Sequence, residues 1–314
     1  MIATKGLTKA YDGKVAVEAL TMDVRPGEIF GLLGPNGAGK TTTVRMLAAL
    51  IAPTAGEAII GGYRLGEQDA AIRRIVGIVT EAPGLYERLS ARENLEVYAR
   101  LYGVADVARQ VEKYLRLLDL WDRRDEPVGT FSKGMKQKLA LARALVHEPK
   151  VLLLDEPTSG LDPQMTRVVR EFIAELRGQG RTILLCTHNL DEAERLCDRI
   201  LVLKTRPIAL DTPEALHRRL FGRRVVVTLT EVTERILERV RALEFVRDLQ
   251  HQGRQLYIAL ADPERENPRL VRALVEAGAA IQFLTEEEHS LEEIYLRLIE
   301  EEAAAHPAEA ASAR

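Results

Sequence analysis

Residues 34–41 have the sequence Gly-Pro-Asn-Gly-Ala-Gly-Lys-Thr, in which glycines, a lysine and a threonine are spaced as phosphate binding requires. The glycines let the backbone curl so that successive N–H groups point inward at phosphate oxygens. Lys40 can then reach the outer phosphates, and the Thr41 hydroxyl is placed to ligate a Mg²⁺ ion that bridges them. An apolar run precedes this loop and a helical pattern follows it. The residues therefore predict a site for a nucleoside triphosphate.

A second candidate group is the acidic pair Asp155 and Glu156, which follows an apolar run at residues 151–154. We expect Asp155 to hold the metal ion and Glu156 to polarise the water that attacks the γ-phosphate. An acidic pair after a strand is common, so this interpretation depends on the phosphate loop in the same chain.

The elements that must position these groups alternate between short apolar runs and helical periodicity up to about residue 217, which predicts an α/β fold. The runs at residues 151–154 and 182–185 are typical of doubly buried strands, and polar residues follow each at once, including His188 after the second. Ligands gather at the carboxyl ends of such strands, so we expect the motifs to converge on one crevice.

A helical subdomain is predicted over about residues 90–147, after the helix that follows the phosphate loop and before the strand at residues 151–154. Its best-marked helix has an apolar face at helical spacing. The face consists of Val107, Val111, Tyr114, Leu115 and Leu118.

Residues 218–302 follow a different pattern, with strands and helices in the order βαββαβ. That order predicts a small ferredoxin-like α+β accessory domain. Its second helix is expected to begin at Asn267, with Pro268 in the first turn. The domain contains no cluster of residues suited to catalysis, so its role stays open.

A last helix is indicated by a capping box formed by Ser290 and Glu293. Docking of this helix on its own domain and a contact in a dimer are both open. Residues 303–314 are rich in alanine without an apolar period, which predicts a flexible tail.

The composition is that of an ordinary globular chain: of 314 residues, 46% are hydrophobic and 29% are charged, enough for two domains. There are 44 Lys and Arg against 47 Asp and Glu, so a formal charge of −3 provides no global attraction to nucleic acid or to anionic membrane. No apolar run approaches the length of a membrane span, and the N-terminus lacks the core of a secretion signal. These features, with only two cysteines, predict a cytoplasmic location.

Together the motifs resemble the nucleotide-binding subunit of an ATP-binding cassette (ABC) transporter over about the first 215 residues. The resemblance implies a P-loop NTPase cassette over residues 1–217, with ATP and Mg²⁺ bound. It also implies that Glu156 and His188 act in catalysis, His188 by contacting the γ-phosphate and orienting the water. The implied ATP-binding residues are Tyr11, stacking on adenine, Val17 as its apolar partner, and Asn36, Gly37, Ala38, Gly39, Lys40, Thr41 and Thr42.

Ser132, Lys133, Gly134 and Met135 resemble the signature motif of that family, which usually reads Leu-Ser-Gly-Gly-Gln when the residue before the serine is included. The lysine and the methionine depart from the usual motif in a way that resembles cassettes working with drug and small-molecule exporters. By the resemblance, these residues serve the nucleotide held by another subunit. A head-to-tail dimer with a second copy, or with a homologous cassette, is therefore expected.

Two further residues are implied in coupling. Asp162 ends a Ser-Gly-Leu-Asp segment that resembles the loop running between the two sites of the dimer. Glu81 stands where the family usually has a glutamine that contacts Mg²⁺ and the membrane partner. A carboxylate accepts from metal-bound water but does not donate as an amide does, and its charge should make metal binding more sensitive to pH. The alternative for Glu81 is a solvated loop acid.

The function implied is an ATPase subunit that drives a separate integral-membrane permease, with export as the expected direction. Such a subunit would be peripheral on the inner face of the cell membrane, held there by the permease. The alternative is a non-transport cassette acting on ribosomes or DNA. The single cassette and the lack of zinc-type cysteine pairs or a basic tract disfavour it, so no nucleic acid partner is expected. A P-loop kinase or GTPase is disfavoured because the signature and the Ser-Gly-Leu-Asp segment do not occur together there.

Overall fold

The structure, a computed structural model, describes residues 1–221, 223–287 and 290–305. The chain divides into two compact units, Met1–Thr212 and Pro213–Arg314. The division falls at residue 212, whereas the sequence pattern places it at 217. Among the described residues, no helix is both long enough and apolar enough to cross a bilayer.

The first unit contains ten strands and seven α-helices, and all of its residues are described. Two short 3₁₀ turns lie between its fourth and fifth helices. In chain order its elements are β1 (Ile2–Tyr11), β2 (Lys14–Val24), β3 (Ile29–Leu33), α1 (Lys40–Leu47), β4 (Ala55–Ile60), β5 (Tyr63–Arg64), α2 (Asp69–Ile75), β6 (Val76–Val79), α3 (Ala91–Leu101), α4 (Val107–Leu117), α5 (Lys133–Leu145), β7 (Val151–Asp155), α6 (Pro163–Gly178), β8 (Thr182–Thr187), α7 (Leu190–Leu196), β9 (Arg199–Lys204) and β10 (Arg206–Asp211).

The strands of this unit form two sheets. One is a four-stranded antiparallel sheet in the order β2-β1-β4-β5. The other has six strands in the order β10-β9-β3-β8-β7-β6, parallel except for β10 at its edge. The core joins side chains of both sheets around α1, including Leu20, Phe30, Met46 and Leu153. Strands β7 and β8 are buried along their whole length, which confirms that they are covered on both faces.

The register of the parallel strands decides where the functional loops leave the sheet. Leu33 at the end of β3 lies opposite Thr187 at the end of β8. Asp155, the last residue of β7, lies opposite Cys186, one residue before the end of β8. The loops that follow these three strands therefore emerge at one edge, which confirms the expected convergence.

Three helices, α3 to α5, occupy the predicted helical region. Helix α3 begins at a capping box in which Ser90 Oγ accepts from the Glu93 N–H and the Glu93 carboxylate accepts from the Ser90 N–H. The predicted apolar face of α4 and its end is buried at Val111, Tyr114, Leu115 and Leu118, while Val107 is half-buried.

The second unit begins and ends with a helix and has a sheet between them. Gly222 and residues 288–289 and 306–314 lie outside its described part. The elements are α8 (Pro213–Phe221), β11 (Arg223–Leu229), α9 (Glu234–Arg241), β12 (Val246–Gln252), β13 (Gln255–Leu260), α10 (Pro263–Glu276), β14 (Ile281–Glu286) and α11 (Leu291–Ala305).

The four strands of this unit pair antiparallel in the order β12-β13-β11-β14. This order, with α9 and α10 as the two crossovers, is the split βαβ arrangement of ferredoxin-like domains. Val227, Leu237, Ile258 and Leu274 are among the residues of its own hydrophobic core.

Helix α10 begins at Pro263, so the predicted start at Asn267 is wrong. Asp262 and Pro263 provide an equally good start signal one turn earlier. The Glu266 carboxylate accepts from the N–H groups of Ala261 and Asp262, at 3.0 Å each, which satisfies the backbone there. Pro268 consequently lies inside the helix.

Helix α11 carries the predicted capping box, with Ser290 Oγ accepting from the Glu293 N–H at 3.3 Å. Its apolar stripe, including Ile294 and Leu298, is buried, and the helix packs against α8 of the same unit. Docking on its own domain is thus the observed arrangement. The helix continues to Ala305, and the rest of the predicted tail lies outside the described residues.

A buried ion pair ties the two sheets of the first unit together. Glu28 precedes β3 and is 6% exposed, and its carboxylate accepts from Arg199 Nε at 2.6 Å and from Arg199 Nη2 at 2.9 Å. Arg199 also donates to the Asp23 carbonyl of β2. Burial raises the pKa of Glu28, but the contacts with Arg199 and the Arg25 N–H outweigh it, so this pKa lies below its usual value of 4.5.

We expect Glu28→Gln to lower the free energy of unfolding of the first unit by about 2 kcal/mol or more near neutral pH, because it leaves the Arg199 guanidinium, whose side chain is only 15% exposed, without its anion. Since the folded-state pKa is depressed, the contribution is present above 4.5 and disappears as the pH falls through the lower folded value. The measurement is urea unfolding followed by the fluorescence of Trp121, the single tryptophan.

Glu57→Gln is the control for this prediction, because the Glu57–Arg64 pair is about half exposed. That change should cost less than about 1 kcal/mol. If the two variants lost equal amounts of unfolding free energy, the Glu28–Arg199 pair would contribute no more to stability than an exposed pair, which would contradict the prediction.

Candidate nucleotide site

A cleft of about 240 Å³ lies at the carboxyl edge of the six-stranded sheet. It is bounded by the phosphate loop and α1, by the ends of β6 and β7, and by β2. The lining residues are Ala16, Pro35, Asn36, Gly37, Gly39, Lys40, Thr41, Thr42, Glu81, Asp155 and Glu156.

The phosphate loop depends on glycine where it enters α1. Gly39 has φ +102°, and a Cβ there would lie 2.4 Å from the Ala16 carbonyl oxygen. Helix α1 then starts at Lys40 with no acidic residue in its first turn. The first-turn N–H groups of a helix have no partner within it, and with the positive end of the helix dipole they favour an anion.

The Lys40 ammonium is held inside the loop that it serves. Its Nζ donates to the Gly34 carbonyl at 2.6 Å and to the Pro35 carbonyl at 3.2 Å, and its side chain is 6% exposed. The same Nζ lies 3.3 Å from Glu156 Oε1. The cation is therefore fixed at the point where the loop and the end of β7 meet.

Glu156 lies between Lys40 and His188. Glu156 Oε2 is 2.8 Å from His188 Nδ1, and the Glu156 side chain is 9% exposed. The residue has φ +53°, a left-handed conformation that costs a non-glycine residue roughly 1–2 kcal/mol. Such strain persists only where the surrounding structure imposes it, and it concentrates at functional sites. The structure thus brings together the two residues predicted to be catalytic.

Asp155 is 1% exposed, and neither carboxylate oxygen has a hydrogen-bond partner among the described residues. Burial raises the pKa of Asp155, and the carboxylates of Glu156 and Glu81 add to this, while the Thr41 hydroxyl and the Lys40 ammonium oppose it. A buried carboxylate without a partner, next to a threonine hydroxyl, fits the oxygen ligands that Mg²⁺ prefers.

The charges that line the cleft support the same conclusion. One ammonium, that of Lys40, faces three carboxylates, those of Glu81, Asp155 and Glu156. A triphosphate would be repelled by this balance unless a cation accompanied it. The described residues form no group of three or more acidic, histidine or cysteine side chains that could hold a metal ion alone.

Four of the predicted nucleotide contacts lie outside the lining, and one of them is His188, whose side chain is 53% exposed and reaches the cleft through Glu156. Val17 is fully buried in the core, so its position differs from that expected of an apolar partner of adenine, and Ala16 lines the cleft instead. Ala38 is buried as well, and its carbonyl accepts from the Thr205 N–H. Tyr11 is 44% exposed at the end of β1, with Lys9 Nζ 5.0 Å from the centre of its ring.

The signature residues form the start of α5, away from the cleft of their own chain. Ser132 Oγ accepts from the Met135 N–H at 3.2 Å and caps the helix. A Cβ at Gly134 would lie 2.9 Å from Met165 Cγ, so glycine allows α5 to approach the start of α6. Ser132 and Lys133 are exposed, and none of the four signature residues lines the cleft.

The two residues implied in coupling have different surroundings. Asp162 caps α6, and its Oδ1 accepts from the Met165 N–H at 2.8 Å. Glu81 follows β6 and is exposed in the wall of the cleft. A coupling role for either residue stays a prediction.

Sequence reasoning missed a buried polar group behind the site. Thr158, Thr187 and Glu192 are all buried beside the segments that bear Glu156 and His188. Only a weak signal was available for Glu192, because it lies among the charged residues of a seven-residue helix and would be assigned to an exposed face.

Comparison with known proteins is consistent with this geometry. A family model described as "ABC transporter" matches residues 17–159. The Nod factor export ATP-binding protein I of Rhizobium sp. (strain N33) is 36% identical over 296 residues, which cover 93% of this chain and 95% of that protein. The linearmycin resistance ATP-binding protein of Bacillus subtilis (strain 168) is 33% identical over 306 residues, covering 95% and 98% respectively.

Solved structures of ABC proteins share the fold. An ATP-binding subunit of an ABC transporter superimposes with a TM-score of 0.66 at 36% identity, covering 71% of this chain and 94% of that one. A dimeric ATP-binding cassette in a post-hydrolysis state, with ADP and phosphate bound, gives 0.63 at 26% identity and covers 68% and 98%. The match to the curated relatives spans nearly their whole length, and this chain therefore belongs to the ABC transporter family as an ATP-binding subunit with the P-loop NTPase fold of an ABC ATPase.

Proposed function

We propose that this protein hydrolyses MgATP to drive a separate integral-membrane permease in export. The observation that carries the proposal is the convergence of Lys40, Glu156 and His188 at one sheet edge, with the orphaned Asp155 carboxylate beside them. The names of the two curated relatives, which refer to export and to resistance, support the direction of transport.

The site residues have separable tasks in hydrolysis. The phosphate-loop N–H groups and Lys40 bind the β- and γ-phosphates, while Thr41 and Asp155 would hold Mg²⁺, with Glu81 in the wall of the same cleft as a further candidate ligand. When bound, the metal ion would neutralise part of the negative charge of the phosphates. Glu156 lines the cleft. Its carboxylate accepts a hydrogen bond from the attacking water and takes up the proton that this water loses. The contact between His188 Nδ1 and Glu156 Oε2 orients that carboxylate.

The position of the signature residues supports completion of the site by a second cassette. Ser132 is exposed at the N-terminus of α5, where N–H groups and the helix dipole favour a phosphate, yet it does not line the cleft of its own chain. We propose a head-to-tail dimer, of two copies or with a homologous cassette, in which residues 132–135 contact the γ-phosphate of the partner's nucleotide. The dimeric state of a similar cassette supports this arrangement.

A permease-docking surface is proposed at Tyr86, Val97 and Leu101, which are 51%, 42% and 75% exposed. The loop that begins at Glu81 is tied to α3, since Asn94 Nδ2 donates to the Tyr86 carbonyl at 3.0 Å and Asn94 Oδ1 accepts from its N–H at 2.9 Å. The loop therefore connects the cleft with an exposed apolar patch, as coupling to a partner requires. Docking there would place the protein on the inner face of the cell membrane.

The second compact unit is proposed as an accessory domain that regulates cassette closure or contacts the permease. It has its own hydrophobic core. The described residues of this unit contain no cluster with metal-ligating chemistry.

Glu156→Gln should reduce ATP turnover by about 100-fold or more, because the amide cannot accept the proton of the attacking water. Nucleotide binding should remain, and the protein should accumulate as an ATP-bound dimer. Phosphate release and light scattering after gel filtration measure the two effects. Glu171→Gln, on the exposed face of α6, is the matched control. Undiminished turnover of Glu156→Gln would exclude it as the base.

Ser132→Arg should abolish turnover while the affinity of the monomer for nucleotide changes by less than about twofold, since the arginine blocks only the partner's site. Mixing Ser132→Arg with Glu156→Gln should restore activity. A mixed dimer has one site in which the intact Glu156 of one copy faces the intact Ser132 of the other. Absence of recovery in the mixture would contradict completion of the site in trans.

Affinity-tagged Glu156→Gln protein, incubated with ATP and detergent-solubilised membranes, should capture an integral-membrane protein. Val97→Glu together with Leu101→Glu should remove the capture, because it places charge on the apolar patch without touching the cleft. Nucleotide binding of that variant provides the control for folding. Salt-sensitive recovery of nucleic acid in place of a membrane protein would overturn the transport assignment.

A further inference from the structure

Helix α7 directs one of its three acidic residues into the protein. Glu192 is completely buried, whereas Asp191 and Glu194 on the same helix are exposed. A buried carboxylate costs free energy that an apolar side chain of similar size would not. Packing alone therefore does not explain why a carboxylate is buried at this position.

The contacts of Glu192 cross between two loops. Thr158 Oγ1 donates to Glu192 Oε1 at 2.8 Å, and Arg170 Nε of α6 lies 4.0 Å from the same oxygen. The other oxygen, Oε2, has no hydrogen-bond partner among the described residues. Burial raises the pKa of Glu192, while the hydroxyls of Thr187 and Thr158 oppose this. The bond from Thr158 thus joins the Glu192 side chain to the loop between β7 and α6.

The two ends of this bond belong to the segments that bear the proposed catalytic pair. Thr158 lies two residues after Glu156 in the loop from β7 to α6. Glu192 lies in the first turn of α7, whose cap, Asn189, follows His188 directly. The Asn189 side chain accepts from the Glu192 N–H at 3.1 Å, and the Asn189 N–H donates to Thr187 Oγ1 at 3.0 Å. Glu192 is consequently rigid with respect to the turn that presents His188.

The loop from β7 needs such a support, because Glu156 has a positive φ that its own backbone does not favour. Glu156 Oε2 and His188 Nδ1, on the two loops, are 2.8 Å apart. A displacement of about 1 Å at a reacting group can reduce a rate by about 100-fold, so the relative position of the two loops matters.

We propose that Glu192 is a positioning residue for hydrolysis: by accepting the hydrogen bond of Thr158, it fixes the β7–α6 loop against the β8–α7 turn and so holds Glu156 and His188 in register. The inference rests on the proposed role of Glu156 as the base. Glu192 itself touches neither the nucleotide nor the water.

The test is steady-state ATP hydrolysis by the full chain, with nucleotide binding measured separately. Glu192→Ala and Thr158→Val should each reduce kcat by about tenfold or more, with KM and nucleotide affinity within about twofold of wild type. The double variant should be no slower than the slower single variant, because both substitutions remove the same hydrogen bond, that between Thr158 and Glu192. Glu192→Gln keeps an oxygen that accepts from Thr158 and should retain most of kcat. Glu194→Ala, exposed on the same helix, is the matched control.

Unchanged kcat in Thr158→Val and Glu192→Ala would overturn the proposal, as would additive losses in the double variant. Should Glu192→Ala fail to fold, Thr158→Val and Glu192→Gln decide: full activity of the valine variant, or loss of kcat in the glutamine variant, would overturn it. Failure of the proposed function is distinguishable, because it would appear as full activity in Glu156→Gln whatever the behaviour of the Glu192 variants.

Discussion

The register of the parallel strands β3, β7 and β8 is the constraint on which the candidate site depends. Because these strands end together, the phosphate loop, the acidic pair and His188 leave the sheet at one edge although they are far apart in the chain. A shift of one residue in β7 would turn the side chain of Asp155 to the other face of the sheet. Burial of β7 and β8 on both faces opposes such a shift, so the hydrophobic core and the chemistry of the cleft are linked.

The arrangement of residues in the cleft lowers the stability of the folded state. Glu156 combines a left-handed backbone with a buried ion pair to Lys40, and Asp155 is buried without a hydrogen-bond partner among the described residues. Each of these features disfavours the folded state on its own. The surrounding buried strands and the Glu28–Arg199 pair stabilise the unit enough to retain them. Polar groups that are already fixed in position, and that lack partners before the ligand binds, favour the binding of a polyanion together with a cation.

Several local features could be predicted because their signals are short-range. The glycines of the phosphate loop, the acidic pair after β7 and the capping box at Ser290 each depend on neighbours within a few residues. Start signals can compete, as at α10, where Asp262 and Pro263 prevail over Asn267. Side-chain direction was less accessible: Val17 is adjacent to Ala16 on β2, and the alternation of a strand sends one to the core and the other to the cleft. The roles of these residues in hydrolysis remain predictions.

The amino-acid sequence by itself determined the class of the protein, the alternation of strands and helices, and the residue types that can bind a nucleotide, because motifs and periodicity are written in consecutive positions. The tertiary structure alone decided which of those residues meet. It set the 2.8 Å contact between Glu156 and His188, and it buried Glu192 among residues of two other segments. Such contacts join residues far apart in the chain, and their geometry follows from strand register and packing, which no local pattern encodes.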